Sequence, residues 1–404
     1  MSPHERSPID VEIDRLDGLL DAMLLAYTQW GTSLEMGEVH FNLYDEYWEF
    51  VNLRMQTARA CRTLIQGGFV ADALGRMRTL LEGYLLLRLM SRGRKAFRTQ
   101  DLSGLPKADF KQRLEAVQTK WREEQAAGVD TWLDIREHPR RRGRIQYIYE
   151  GLKVEGDNDL MISIQWAAFQ QYRPETARLK PDEYFEYYEL DQTHKQIRAV
   201  HKKNAGRLYD DFLSYAALLD SLELNELMDV KERARVEAHY TFLGKFVHLT
   251  NGAERNLCDE SNVHYGGTGI GLKQPYSRVA VLLAHAYLVF LVAGFLEEII
   301  SLIDRAPSEH IQQPQTERLS GLVEYSYQSI RYFWFIYNEA SNYDKYEWAI
   351  PHATEDQLEQ AGGYEGLSSS LITFEAHIFE RFSGAFGSWD NLKCGAYRPP
   401  LPGG

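Results

Sequence analysis

Apolar residues recur every three to four positions along most of this chain, and that spacing predicts one helix after another. The first is predicted at about 10–30, followed by a long helical hairpin across about 41–94 that breaks at Gly67-Gly68, because glycine ends helices well. A charged helix is predicted at about 107–127, others at about 193–224 and 228–250, and a nearly uninterrupted apolar one at about 275–304. No pair of alternating strands joined by a hairpin turn stands out, so the expected fold class is all-α, a multi-helix bundle.

Between these helices lie a basic loop near 138–144, the aromatic-acidic stretch Tyr184–Asp191, and a glycine-rich loop at about 251–274 that contains His264 and Gly266–Gly271. Pro307–Pro314 reads as a boundary. The expected organisation is a main body over 1–306, with core helices at about 41–94, 228–250 and 275–304 and an insertion at about 99–227. A C-terminal unit over 315–404 follows and ends in the Pro/Gly-rich, flexible tail Gly395–Gly404. That unit is predicted to carry a dense aromatic helix with Tyr325, Tyr327, Tyr332, Phe333, Trp334, Phe335 and Tyr337, expected to cover the main body or to mediate self-association, most simply as a dimer.

Composition narrows the picture. With 404 residues and 44% apolar content there is material for a large core. Cys61, Cys258 and Cys394 are odd in number and scattered, which suggests neither a disulfide framework nor a cysteine zinc site and fits a reducing cytoplasm. The N-terminal residues have no apolar stretch of the kind a secretory signal needs. Val279–Phe295 is apolar but interrupted by His285, and a membrane span needs about 20 residues, so a buried central helix is expected and no membrane partner.

Charge is uneven. The net charge is −13, yet residues 51–150 hold 20 Lys/Arg against 11 Asp/Glu, a local +9 that leaves −22 on the remainder. Arg88, Arg92, Arg94, Lys95, Arg98, Arg140, Arg141, Arg142 and Arg144 carry much of it. Such a patch serves either nucleic acid or docking against acidic protein surface, the chain's own or a partner's. The second reading is favoured, because an acidic protein repels nucleic acid at long range.

The candidate chemistry begins in the apolar stretch from Gly68 to Met90, where Arg78 and Glu82 stand four residues apart and so share a helix face. Charge in such surroundings is expected to be buried and paired, so that Glu82→Ala costs about 3 kcal/mol. The later helix carries His239, Tyr240 and His248; Tyr240 and His248 are eight residues apart and project to one side.

The run to Gly68, Ala73, Arg78-Thr-Leu-Leu-Glu82, then Tyr240, His248, a loop and an apolar helix resembles, over about 45–95 and 235–304, a family of uncharacterised helical bacterial proteins. Where that family usually has Ser before the His, this chain has Gly244. The resemblance implies a four-helix core distantly similar to HEPN domains, which include metal-independent ribonucleases and many non-catalytic members. HEPN ribonucleases pair an Arg with a His four to six residues on, for charge stabilisation and proton transfer. Arg233/His239, Arg278/His285 and Arg305/His310 have that spacing, but twelve histidines give about as many by chance.

Candidate catalytic residues are therefore His248, Arg78, Glu82 and Tyr240, with His239 and Arg233 behind them. Gly266–Gly271 matches neither phosphate-loop spacing. Asp259, Glu260, His264 and His248 lack regular ligand spacing, so no metal and no cofactor are expected. The expected function is a non-enzymatic helical interaction or sensing module of a bacterial defence or stress system; the alternative is a metal-independent endoribonuclease.

Overall fold

In the computed structural model of the chain, Ser7 starts the first helix: its hydroxyl accepts from the Asp10 N–H, and Pro8 fills the first turn. The structure describes residues 6–36, 43–129, 132–153, 161–172, 203, 205–248, 252–258, 276–306, 311–312, 315–330, 332–333, 342–368, 371 and 378–393. Several expectations fall outside them: Tyr184–Asp191, Asp259, Glu260, His264, Gly266–Gly271, His310, Trp334, Phe335, Tyr337 and the tail.

In chain order the helices are α1 (Pro8–Ser33), α2 (Leu43–Gln66), α3 (Val70–Arg92), α4 (Lys107–Ala126), α5 (Ile164–Gln171), α6 (Tyr215–Leu224) and α7 (Val230–Gly244). They continue with α8 (Arg278–Asp304), α9 (Glu317–Ser329), α10 (Asn342–His352), α11 (Glu355–Ala361) and α12 (Ile378–Lys393). The strands are β1 (Glu35–Met36), β2 (Lys95–Asp101), β3 (Asp134–Glu137), β4 (Arg144–Glu150), β5 (Leu152–Lys153), β6 (Met161–Ile162) and β7 (Ile311–Gln312). The chain is predominantly helical and folds as two compact units, Met1–Tyr84 with Val230–Gly404, and Leu85–Asp229.

In the first unit α8 is the central element, packed against α1, α2, α9 and α12. Apolar residues on nearly every side explain this, since 83% of its most apolar window is buried within the chain. The α2–α3 break falls at Gly68, whose φ of 81° closes a turn in which the Phe69 N–H reaches the Leu64 carbonyl and the Gly68 N–H the Ile65 carbonyl. Two knots of charge tie these helices together, one half-buried and one buried. Asp17 of α1 takes both Nε and Nη2 of Arg62 of α2, at 2.7 and 2.8 Å, with His285 Nε2 of α8 3.7 Å away. Glu12, 2% exposed, is held by Arg15 and by the Tyr332 hydroxyl at 2.7 Å.

The aromatic run does not form the single helix expected. Helix α9 stops at Ser329, and Tyr332 and Phe333 turn into the chain's own core, where Phe333 meets Tyr287, Phe290 and Phe382. Those two side chains are therefore used within the chain, while Tyr325 is 50% exposed.

The second unit corrects the expectation that strand pairs are missing. Strands β2, β4 and β3 form an antiparallel sheet in that order, with Phe97 opposite Ile148 and Asp134 opposite the same Ile148. Helix α4 packs on one face through Phe110, Leu114, Val117 and Trp121 against Ile135, Ile145 and Tyr147. The helix expected at about 193–224 is broken where it is described: a π-turn at Tyr209–Leu213 ends at Ser214, which then caps α6.

Candidate functional site

Tyr240, Gly244 and His248 follow at four-residue intervals along α7 and the turn that extends it, so they line one side. That side faces Arg78 of α3. A Cβ added at Gly244 would lie 3.3 Å from Arg78 Nη1, and one added at Gly75 would lie 3.1 Å from the Phe246 carbonyl oxygen. The two glycines thus mark close approaches, Gly244 to the Arg78 guanidinium and Gly75 to the Phe246 backbone. A side chain at 244 would require the Arg78 guanidinium to shift by a few tenths of an ångström.

The guanidinium has a partner at every nitrogen. Nη1 donates to His248 Nε2 at 3.0 Å, Nη2 to the Tyr240 hydroxyl, and Nε to Glu82 Oε1 at 3.4 Å. Its central carbon also lies 4.1 Å from the centre of the Tyr240 ring. The Tyr240 hydroxyl in turn hydrogen-bonds Glu82, and burial, then the Glu82 charge, raise its pKa against the opposing pull of Arg78. Tyr240 stays protonated at neutral pH and donates a hydrogen bond to the Glu82 carboxylate. Arginine has no lone pair, so His248 accepts at Nε2 and carries its proton on Nδ1.

The quartet is at the surface, not within the core as expected. The Arg78 side chain is 18% exposed and that of Glu82 40%, and His248 is exposed. All four of the leading sequence candidates converge, across 170 residues between Arg78 and His248.

His239 and Arg233 are placed differently. Neighbours on a helix diverge by about 100°, so with Tyr240 toward Arg78 the adjacent His239 enters the core, 0% exposed, against Tyr287 and Phe333. Its Nδ1 meets the Tyr287 hydroxyl, and burial, with a smaller push from Arg235, holds its pKa well below the usual value. It is a neutral core residue. Arg233 is buried and pairs with Glu237 at 2.9 Å, one turn on. Arg278 pairs with Asp10, and His285 donates to the Val281 carbonyl at 2.9 Å.

The basic segment meets acid of its own unit. Arg140 binds Glu223 at 2.6 Å, Arg141 lies 3.7 Å from Asp220, and Arg144 binds Asp101 at 2.9 Å. The Asn225 side-chain oxygen accepts both the Arg94 and Lys95 N–H groups at 2.8 Å. Arg88 and Arg92 are half-buried and engaged, whereas Arg98 and Arg142 are exposed. Sequence reasoning missed the buried pair at the centre of this docking, His138 Nε2 to Asp220 Oδ2 at 3.0 Å, because 82 residues separate them. His138 Nδ1 accepts the Arg140 and Arg141 N–H groups at 3.1 and 3.2 Å, which fixes the proton on Nε2. Among the described residues no group of three or more His, Cys, Asp or Glu is placed to hold a metal.

No protein-family model matches this sequence, and no curated protein or solved structure shows a match to it.

Proposed function

We propose that the first unit is a helical interaction or sensing module without chemistry of its own, in which the Arg78 quartet is a latch between α3 and α7. The observation that carries this reading is the closure of the ring: the one lone pair of a neutral His248 is occupied by Arg78. A base already bonded to a fixed cation has to break that bond before it takes a proton. The weak member is Glu82, at 3.4 Å and partly in water. An oxyanion on a ligand or partner, carboxylate or phosphate, can compete with it for the planar guanidinium fork, which favours bidentate acceptors. Displacing Glu82 frees the Tyr240 hydroxyl and loosens the α3–α7 contact. A HEPN-like core and a role in bacterial defence or stress belong to the same proposal and rest on the sequence resemblance alone. The test is hydrogen exchange across 240–248 during titration with inorganic phosphate and with a mononucleotide. Exchange should change in the wild type and stay constant in Arg78→Gln; an unchanged wild type would count against the latch.

A specific observation favours the alternative, a metal-independent endoribonuclease: an Arg and an exposed His meet at 3.0 Å, the two side-chain types such an enzyme combines, although here they come from positions 170 residues apart. On that reading RNA cleavage survives EDTA and is lost in His248→Ala with the melting curve intact.

A further inference from the structure

Beside the sheet of the second unit, on the face away from α4, lies an open cleft of about 430 Å³ lined by Lys95, Asp134, Arg136, Ile148, Asp220, Glu223, Leu224 and Glu226 among others. Its carboxylates fall into two groups. Asp220 is held by His138 and lies near Arg141, and Glu223 is held by Arg140, so these two belong to the docking of the β3–β4 turn. Asp134 and Glu226 form no ion pair among the described residues, and neither do the two cations, Lys95 and Arg136. Among the described residues the Arg136 side chain bonds Gln146 Oε1, at 3.3 Å.

Two charges of each sign, none of them ion-paired among the described residues and all at least partly exposed, therefore line one cleft. Ordinarily such groups pair or turn to bulk water. The strand period holds them: Asp134 and Arg136 are two apart on β3 and opposite Ile148 and Gln146 of β4, which puts both on the cleft side. Glu226 is held by its backbone. It is the one described non-glycine residue with positive φ, 59°, immediately after Asn225 ends α6 and ties it to the start of β2. The left-handed turn is the one that ends α6, with the Glu226 N–H on the Glu223 carbonyl and the Leu227 N–H on the Leu222 carbonyl, and it fixes Glu226 at the cleft wall in a conformation glycine would adopt more easily.

We propose that this cleft binds a compact zwitterion, a free α-amino acid, with its ammonium toward Asp134 and Glu226, its carboxylate toward Arg136 and Lys95, and its side chain along Ile148 and Leu224. The volume suits a small ligand. The two charge pairs would give it the neutralising partners that the fold withholds.

The test is thermal denaturation of the full-length protein with each standard amino acid in turn, repeated with the N-acetyl and carboxamide forms of any that stabilises. At least one amino acid should raise the melting temperature saturably, and each blocked form, lacking one charge, should not. Arg136→Gln and Asp134→Asn should each weaken binding about tenfold, one charge-assisted bond. Glu226→Gly should raise the melting temperature of the free protein while weakening the ligand, a combination that a purely structural Glu226 does not give. Absence of any shift across the panel, or an equal shift in Arg136→Gln and Asp134→Asn, would overturn the proposal.

Discussion

Single residues decide whether the quartet is structural. The Glu82 side chain is 40% exposed and 3.4 Å from Arg78, so the cost of about 3 kcal/mol expected for a buried pair does not apply. Glu82→Ala should lower stability by about 1 kcal/mol or less, the range of partly exposed pairs; a urea melt checks this, and a loss three times larger would mean a buried charge had been stranded. Arg78 is the opposite case. Lysine has one donor group where Arg78 serves three partners, so Arg78→Lys should cost about 2 kcal/mol, read in the same melt. Tyr240 and His248 were legible from their spacing, and Arg78 and Glu82 from theirs. The closeness of the helices was not, because nothing in the pattern around Gly75 and Gly244 distinguishes a glycine that admits a guanidinium from one that ends a helix.

At the scale of elements, Asp17 joins α1 to α2 and lies near α8. Its pKa is lowered, first by the Arg62 bond and then by His285, against burial. A depressed carboxylate stabilises the fold above its unfolded value, about 4, and that contribution is lost as pH falls below it. Asp17→Asn should therefore cost about 1–2 kcal/mol at neutral pH and show a shallower acid limb than the wild type, measured as melting temperature between neutral pH and pH 3. The helices α1 to α4, α7 and α8 were legible because each buries a stripe long enough to set a 3.6-residue period. The sheet was not. β2 finds its partner β4 only after α4 and β3 have intervened, and six residues, four of them His or Arg, join β3 to β4 where a short glycine turn would signal a hairpin.

For the whole molecule, charge and burial point to function through location. Residues Leu85–Asp229 hold 24 Lys/Arg and 24 Asp/Glu, so the net charge of −13 belongs entirely to the first unit, where the quartet lies. Such a field disfavours a polyanionic substrate at His248. Helix α8 is long and apolar enough to cross a bilayer, yet it is mostly buried against its own chain. The full-length protein should accordingly stay out of the membrane fraction on ultracentrifugation; recovery with the membranes would require α8 to leave its neighbours.

The most direct measurement is incubation of purified wild-type protein with RNA in excess EDTA, beside His248→Ala. A latch predicts intact RNA in both, with His248→Ala melting lower than wild type because Arg78 has lost an acceptor. Cleavage by the wild type that disappears in His248→Ala, with the melting curve unchanged, would contradict the latch and make His248 catalytic.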